Sequence, residues 1–496
     1  MSKPLVLAID QGTTGTTVLV LDETMEILGK GYAELPQSYP APGLVEHDPE
    51  AIWKSVLAAM AKALAPVAEH PIACIGVTNQ RETVVVWERA TGRAVAPAIV
   101  WQDRRTADRC QALRQAGHEP AIQRTTGLLL DPYFSATKLA WMLDNIPGLR
   151  RRCETGEILF GTVDSYLVWR LSGGQSHITD VTNASRTLLL DLGTLKWSEG
   201  LCRLFGIPGI ILPRVCPTSG KALARTAGID RLAGLASLAD GTPISGIAGD
   251  QQAALFGQGC VTAGQAKCTF GTGSFLLMNI GARAVPSQHR LLSTVAWQLP
   301  TGTSYALEGS AFVSGALVQW LRDGLGIIKK ASDIEALAAS VPDTGGVAIV
   351  PALSGLGAPH WRPDARGVIS GISRGTTAAH IARAALEAMA LQNVDLAHAM
   401  ERDAGQAIIS LRVDGGAAAN NLLMQMQADL LGAEIVRPAM VESTALGAGR
   451  LAALGIGLYS DPSMLRQLPA TTFHPRMDAT ERERTFSRWQ QALSKS

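Results

Sequence analysis

The sequence predicts an α/β protein of two domains built on one repeated plan. Three observations predict it. At 496 residues the chain is too long for a single hydrophobic core. Strand-patterned and helix-patterned runs follow one another in both halves, the signature of sheets covered by helices. The stretch "AIDQGTTGTTVLVLD" (8–22) returns in similar form as "KCTFGTGSFLLMNIG" (267–281), each with a Gly-Thr-rich turn beside an apolar strand. A match this short also arises between two unrelated hairpins.

In chain order, "PLVLAIDQGTTGTTVLVLDETMEILGKGYAEL" reads as a β-meander of Val/Leu/Ile strands and Gly-rich turns. "DPEAIWKSVLAAMAKALA" (48–65) reads as a helix, with Asp48 as cap and Pro49 at the first helical position. "IACIGVTNQRETVVVWE" gives strand, loop, strand. The second half adds a helix in "DIEALAASV" (333–341) and a strand-turn-helix in "IISLRVDGGAAANNLLMQMQADLLG" (408–432). The boundary is placed near 253, giving domains 1–253 and 254–496. "DATERERTFSRWQQALSK" is an amphipathic helix whose Asp478 and Glu481 have capping-box spacing.

Composition excludes several classes. The 44 Lys and Arg nearly balance the 43 Asp and Glu, so no basic groove for nucleic acid is expected. Seven cysteines lie scattered with no CxxC pair, which fits a reducing cytoplasm rather than a disulfide framework or a zinc site. The apolar run in "MSKPLVLAIDQG" stops at Asp10, too early for a signal peptide, and no run reaches the roughly 18 residues of a membrane span. A cytoplasmic protein with no membrane insertion is the expectation.

No GxxxxGK[ST] loop occurs, and no GxGxxG links a strand to a helix. Three other turns could hold phosphate: "DQGTTG" (10–15), "FGTGS" (270–274) and "DGGAAAN" (414–420). Each follows an apolar strand. Glycine lets backbone N–H groups approach an anion, and threonine hydroxyls add donors. Asp10 could hold Mg²⁺ directly or through water. One such turn alone reads as an ordinary hairpin turn. Three of them in two similar halves point to a cleft that clamps a nucleoside triphosphate. Asp250, in "SGIAGDQQAALFGQG" (245–259), stands where a strand runs into a helix. An acid there is commonly a helix cap.

The chain resembles the FGGY carbohydrate kinases over nearly its whole length. "YFSATKLAWMLDN" (133–145) and "GVISGISRGTTAAHIARAALE" (367–387) resemble the two family signatures. "TNQRETVVVWE", "AIVWQDRRT", "DPYFSATK" and "GIAGDQQAALFGQ" resemble the members that phosphorylate glycerol. The resemblance implies two ribonuclease H-like (actin-like ATPase) domains, each a mixed sheet covered by helices, closing on a central cleft. It implies ATP-dependent transfer of phosphate to glycerol with Mg²⁺, and assembly as a homodimer or homotetramer.

It also implies roles. Asp250 matches the catalytic base, a carboxylate that takes the hydroxyl proton as the oxygen bonds phosphorus. Asp10 would organise Mg²⁺ and the transferred phosphate. Arg81, Glu82, Tyr133 and Gln251 match the glycerol pocket, with Trp101 and Phe275 as aromatic walls. A rigid Arg fork and a Glu acceptor suit a triol. Read without the resemblance, Arg-Glu in a polar loop is a solvated pair and each aromatic is core. Thr13, Thr14, Gly15 and Thr272 would face phosphates. Gly315 and Gln319 match nucleotide contacts, and Gly416 and Asn420 would lie by the adenosine.

Two departures stand out. Where the family commonly has Ser-Ser-Arg after its first Gly-Thr-Thr, this chain has Gly15, Thr16 and Thr17, so a phosphate-neutralising arginine is missing. Some bacterial members bind fructose 1,6-bisphosphate through a Gly-Arg loop before this segment. "LASLADGTPISGIAGD" (235–250) holds no arginine, which argues against that inhibition here. The alternatives are an FGGY kinase for another small polyol or ketose, and a non-kinase ATPase of the actin and chaperone group. The pocket set Arg81, Glu82, Trp101, Tyr133, Asp250 and Phe275 argues against the first, since a site built to pair with hydroxyls discriminates against substrates that leave its polar groups unpaired. The second has no need of "TNQRET" or "DPYFSATK".

Overall fold

The computed structural model describes residues 4–229, 235, 237–362, 364–440, 442–464 and 469–496. Ala236, inside the 235–250 stretch, lies outside the described residues.

The first sheet has six strands in the order Ser219–Arg225, Pro243–Gly249, Ile72–Asn79, Leu5–Gln11, Gly15–Leu21, Ile27–Glu34. The predicted meander forms its antiparallel half, and Leu5–Gln11, Ile72–Asn79 and Pro243–Gly249 run parallel. The second sheet has seven, in the order Leu292–Leu299, Gly302–Ala311, Ser274–Gly281, Gln265–Phe270, Ser410–Asp414, Glu434–Pro438, Ala470–Phe473. Again a hairpin opens the sheet and parallel strands follow on its other side. The two Gly-Thr hairpins are therefore structural equivalents. One detail differs: Gly302–Ala311, not the earlier Leu292–Leu299, pairs with Ser274–Gly281.

Parallel strands are buried on both faces, hence the unbroken apolar runs. Helix Pro49–Leu64 covers the first sheet, and Asp48 caps it by accepting from the Glu50 N–H at 2.9 Å. Helices Ala378–Ala404 and Asn421–Leu431 pack with the second sheet's core. The C-terminal helix Ala479–Leu493 is capped by Asp478 and buries Trp489 and Leu493. One large apolar core fills the first half and another is centred on the second, while a smaller cluster joins Val6, Ala8 and Leu19 to Ala445, Leu446 and Ala452. All seven cysteines are buried and unpaired. Among the described residues no helix is long and apolar enough to cross a membrane.

Two helices join the halves. Asp250–Gly257 continues directly from strand Pro243–Gly249, and Ser443–Gly455 lies across it and against the first sheet. Their contact has no room for side chains: a Cβ on Gly447 would stand 1.8 Å from the Ala253 carbonyl oxygen, and one on Gly257 2.0 Å from that of Ser443. The clash is with backbone, so no rotamer relieves it. Gly447→Val is expected to destabilise the fold by about 3 kcal/mol or more, at the top of the overpacking range. A urea midpoint equal to wild type would refute this close packing.

Candidate active site

Asp250 is the first residue of its helix. Gly249 occupies the cap position and no side chain caps the end. The alternative of Asp250 as N-cap therefore gives way: its carboxylate accepts from the adjacent Gln251 N–H at 2.6 Å. The side chain keeps 30 % exposure, and Arg81 Nε lies 3.1 Å from it. Burial lifts its pKa above 3.8, against the pull of Arg81 and Lys267. The charged form thus remains a proton acceptor of raised basicity.

The "NQRET" loop makes a tight turn. Glu82 sits at φ 61°, a left-handed conformation that costs roughly 1–3 kcal/mol for a residue with a side chain, and the Thr83 N–H returns to the Arg81 carbonyl at 2.7 Å. The turn sends both side chains inward, where Arg81 and Glu82 are almost fully buried. This corrects the solvated-pair reading. Arg81 donates to Tyr133 Oη at 3.3 Å, Gln252 Oε1 at 3.2 Å and Glu308 Oε2 at 2.6 Å. Trp101 meets Tyr133 edge to face at 5.6 Å and gives its indole N–H to Thr13 Oγ1 at 2.9 Å. Trp101 thus ties Tyr133 to the first Gly-Thr turn. The Thr13 hydroxyl, as acceptor, keeps its own proton to donate.

Gln251 receives a hydrogen bond from the buried Lys267, which also donates to Thr269 Oγ1 at 2.8 Å. Phe275 is half-buried on strand Ser274–Gly281. Thr272, Gly315, Gln319, Gly416 and Asn420 line one cavity of about 490 Å³ in the second half. Its walls also include Leu386, Met389 and Leu423, apolar surface suited to a purine ring. Thr13, Thr14 and Gly15 do not line this cavity. They form the first hairpin's turn, closed by a Gly12 N–H to Gly15 carbonyl bond at 2.9 Å.

Asp10 is half-buried on strand Leu5–Gln11, and its pKa is pushed up to about 8 by burial and then by Asp250 and Glu442. Acids crowded in this way favour a cation. Among the described residues no three acidic, His or Cys side chains form a metal cage. That donor set fits Mg²⁺, which is typically held by one or two carboxylates with waters and phosphate oxygens. Thr17 pairs with Asp10 across the hairpin. Gly15 has a local cause: a Cβ there would lie 2.5 Å from Tyr32 Oη, the tip of a ring that packs over the turn.

Sequence reasoning missed Arg186, Glu308, Lys267 and Gln252. The first three are single charges inside apolar or small-residue runs, "NASRTLLL", "YALEGSAF" and "GQAKCTF", and that isolation is the signal that could have found them.

Models of the FGGY family of carbohydrate kinases match residues 5–257 (N-terminal domain) and 266–456 (C-terminal domain). Glycerol kinase of Myxococcus xanthus is 53% identical over 497 residues, covering 99% of each chain. That of Alkalilimnicola ehrlichii is 54% identical, covering 99% of this chain and 98% of its own. The crystal structure of Plasmodium falciparum glycerol kinase with ADP superposes with a TM-score of 0.93 at 34% identity, covering 99% and 98% of the two chains. Gluconate kinase from Lactobacillus acidophilus, with a TM-score of 0.90 at 22% identity over 100% and 98% of the chains, shares the fold.

Proposed function

Because the chain belongs to the FGGY family of carbohydrate kinases, we propose that it transfers the γ-phosphate of ATP to glycerol, giving sn-glycerol 3-phosphate and ADP. The observation that carries the mechanism is the position of Asp250. It stands at the head of the junction helix, its side chain 30 % exposed, with Arg81 fixed beside it at 3.1 Å. A primary hydroxyl oxygen of glycerol bonds to the γ-phosphorus, the bond to the ADP oxygen breaks, and the hydroxyl proton passes to Asp250. Arg81, Glu82 and Tyr133 orient the triol, with Gln251 beside them and Trp101 and Phe275 against its carbons. Thr13, Thr14, Gly15 and Thr272 hold phosphates, while Gly315, Gln319, Gly416 and Asn420 hold the nucleoside. Mg²⁺, when bound, neutralises phosphate charge, and Asp10 is the residue that would hold it. A cytoplasmic location and a homodimer or homotetramer belong to the same reading.

The product tests it. With Mg-ATP and glycerol, ³¹P NMR should show one phosphomonoester, wholly consumed by a dehydrogenase specific for sn-glycerol 3-phosphate. An ester from erythritol or xylulose, but none from glycerol, would overturn the substrate.

The electrostatics of the site set its pH dependence. Only the carboxylate form of Asp250 accepts a proton, and burial favours the neutral acid. Activity should therefore rise with pH through a value above the ordinary 3.8. A kcat/KM profile for glycerol whose acid limb lies at or below that value would contradict the assignment. Thr17 bears on nucleotide affinity instead. An arginine there would face Asp10 beside the phosphate turn, so Thr17→Arg is expected to lower the KM for Mg-ATP several-fold. An unchanged KM would show that another cation already serves the phosphates.

A further inference from the structure

Glu308 belongs to strand Gly302–Ala311 of the second sheet, yet its carboxylate reaches the pocket of the first half. It accepts from Arg81 Nη1 at 2.6 Å and Nη2 at 3.1 Å, and from Arg186 Nη2 at 2.9 Å. Burial opposes its charge, but the two guanidiniums outweigh it and hold the carboxyl down at about 2. Arg186, fully buried after the short helix Val181–Ala184, donates from Nε to Glu82 Oε1 at 2.6 Å. Its guanidinium lies 5.5 Å from the Tyr133 ring centre and 5.3 Å from that of Phe134. Its Nη1 finds no acceptor among the described residues.

Three of the residues expected on the glycerol hydroxyls are thus gripped from behind. Arg81 is held in a bidentate fork by Glu308, Glu82 is held in its left-handed turn by Arg186, and Tyr133 meets Arg81 at its hydroxyl and Arg186 at its ring. Glu308 and Arg186 are buried as deeply as the Arg81 and Glu82 they hold. Charge-assisted, bidentate contacts fix orientation more firmly than neutral ones. The grip also spans the molecule: Glu308 lies 227 residues from Arg81 and in the other sheet.

We propose that Glu308 and Arg186 are positioning residues of the glycerol site, through which the second sheet sets the geometry of Arg81, Glu82 and Tyr133. The proposal rests on the reading that those three residues hold glycerol. The pocket is then complete only when the two halves stand in this relation, which links triol recognition to domain arrangement.

The test is Glu308→Gln, which keeps shape but removes the charge. Arg186→Lys, which cannot bridge Glu82 and Glu308 together, and Glu82→Gln are measured beside it. Glu308→Gln and Arg186→Lys should each raise the glycerol KM at least tenfold and the Mg-ATP KM less than threefold. Glu308→Asp should recover part of the loss, and it reads the same effect if Glu308→Gln does not fold. Parallel rises in both KM values would indicate a merely structural role and overturn the proposal. If Glu82→Gln raises the glycerol KM and the Glu308 variants do not, positioning fails while the pocket reading stands. If none of the variants changes it, the pocket reading fails and the positioning proposal falls with it.

Discussion

Asp250→Asn is expected to lower kcat by about 10²–10⁴-fold, the usual worth of a general base, while glycerol affinity changes by no more than a few-fold. Asparagine keeps the shape and an oxygen able to accept from the Gln251 N–H, so the helix start is preserved. What disappears is the proton acceptor facing the cleft. Steady-state ADP release at saturating Mg-ATP and glycerol gives kcat, and calorimetric titration with glycerol gives affinity. A variant that keeps more than a tenth of the wild-type rate would remove Asp250 from the chemistry. A rate loss matched by an equal loss of glycerol affinity would make it a binding residue instead.

Arg81→Met should cost both stability and activity. Arg81 is buried among Glu82, Asp250 and Glu308, with Nε 3.1 Å from Asp250 and Nη1 2.6 Å from Glu308. Methionine fills much of the volume but leaves those carboxylates with less countercharge. Removing one partner of a buried ion cluster costs about 3–5 kcal/mol, because the surviving charges stay buried and uncompensated. The guanidinium also supports Tyr133 and Gln252, so kcat/KM for glycerol should fall at least a hundredfold. Chemical denaturation and steady-state kinetics check the two effects separately. A variant as stable as wild type would mean that the carboxylates relax by taking up protons or water. An unchanged kcat/KM would remove Arg81 from the pocket.

The repeated plan was legible because each hairpin is local: its turn residues and apolar strands lie within a few residues of one another. The start of the junction helix was legible for the same reason. Register around the helix was less so. Gln251 and Gln252 are adjacent, and successive helical residues point about 100° apart, so sequence alone does not say which one faces Arg81. The structure turns Gln252 to Arg81 and Gln251 to Lys267. Glu308 and Arg186 show in the sequence only as isolated charges, and their partners were not legible because they come from distant segments. Nothing local to "YALEGSAF" shows that its carboxylate meets a guanidinium from the other half. Thr272, Gly416 and Asn420 stood out in Gly-rich turns and Gly315 and Gln319 only through the family resemblance, but only the fold brings them around one space.

The most direct measurement is ADP release from Mg-ATP by the wild-type protein, without a second substrate and then with glycerol, dihydroxyacetone, erythritol or xylulose. Glycerol should stimulate release far above the unstimulated rate and above the other three. A larger polyol or ketose as the best substrate would contradict the pocket built on Arg81, Glu82 and Tyr133. Release that no acceptor stimulates would contradict phosphoryl transfer from this site.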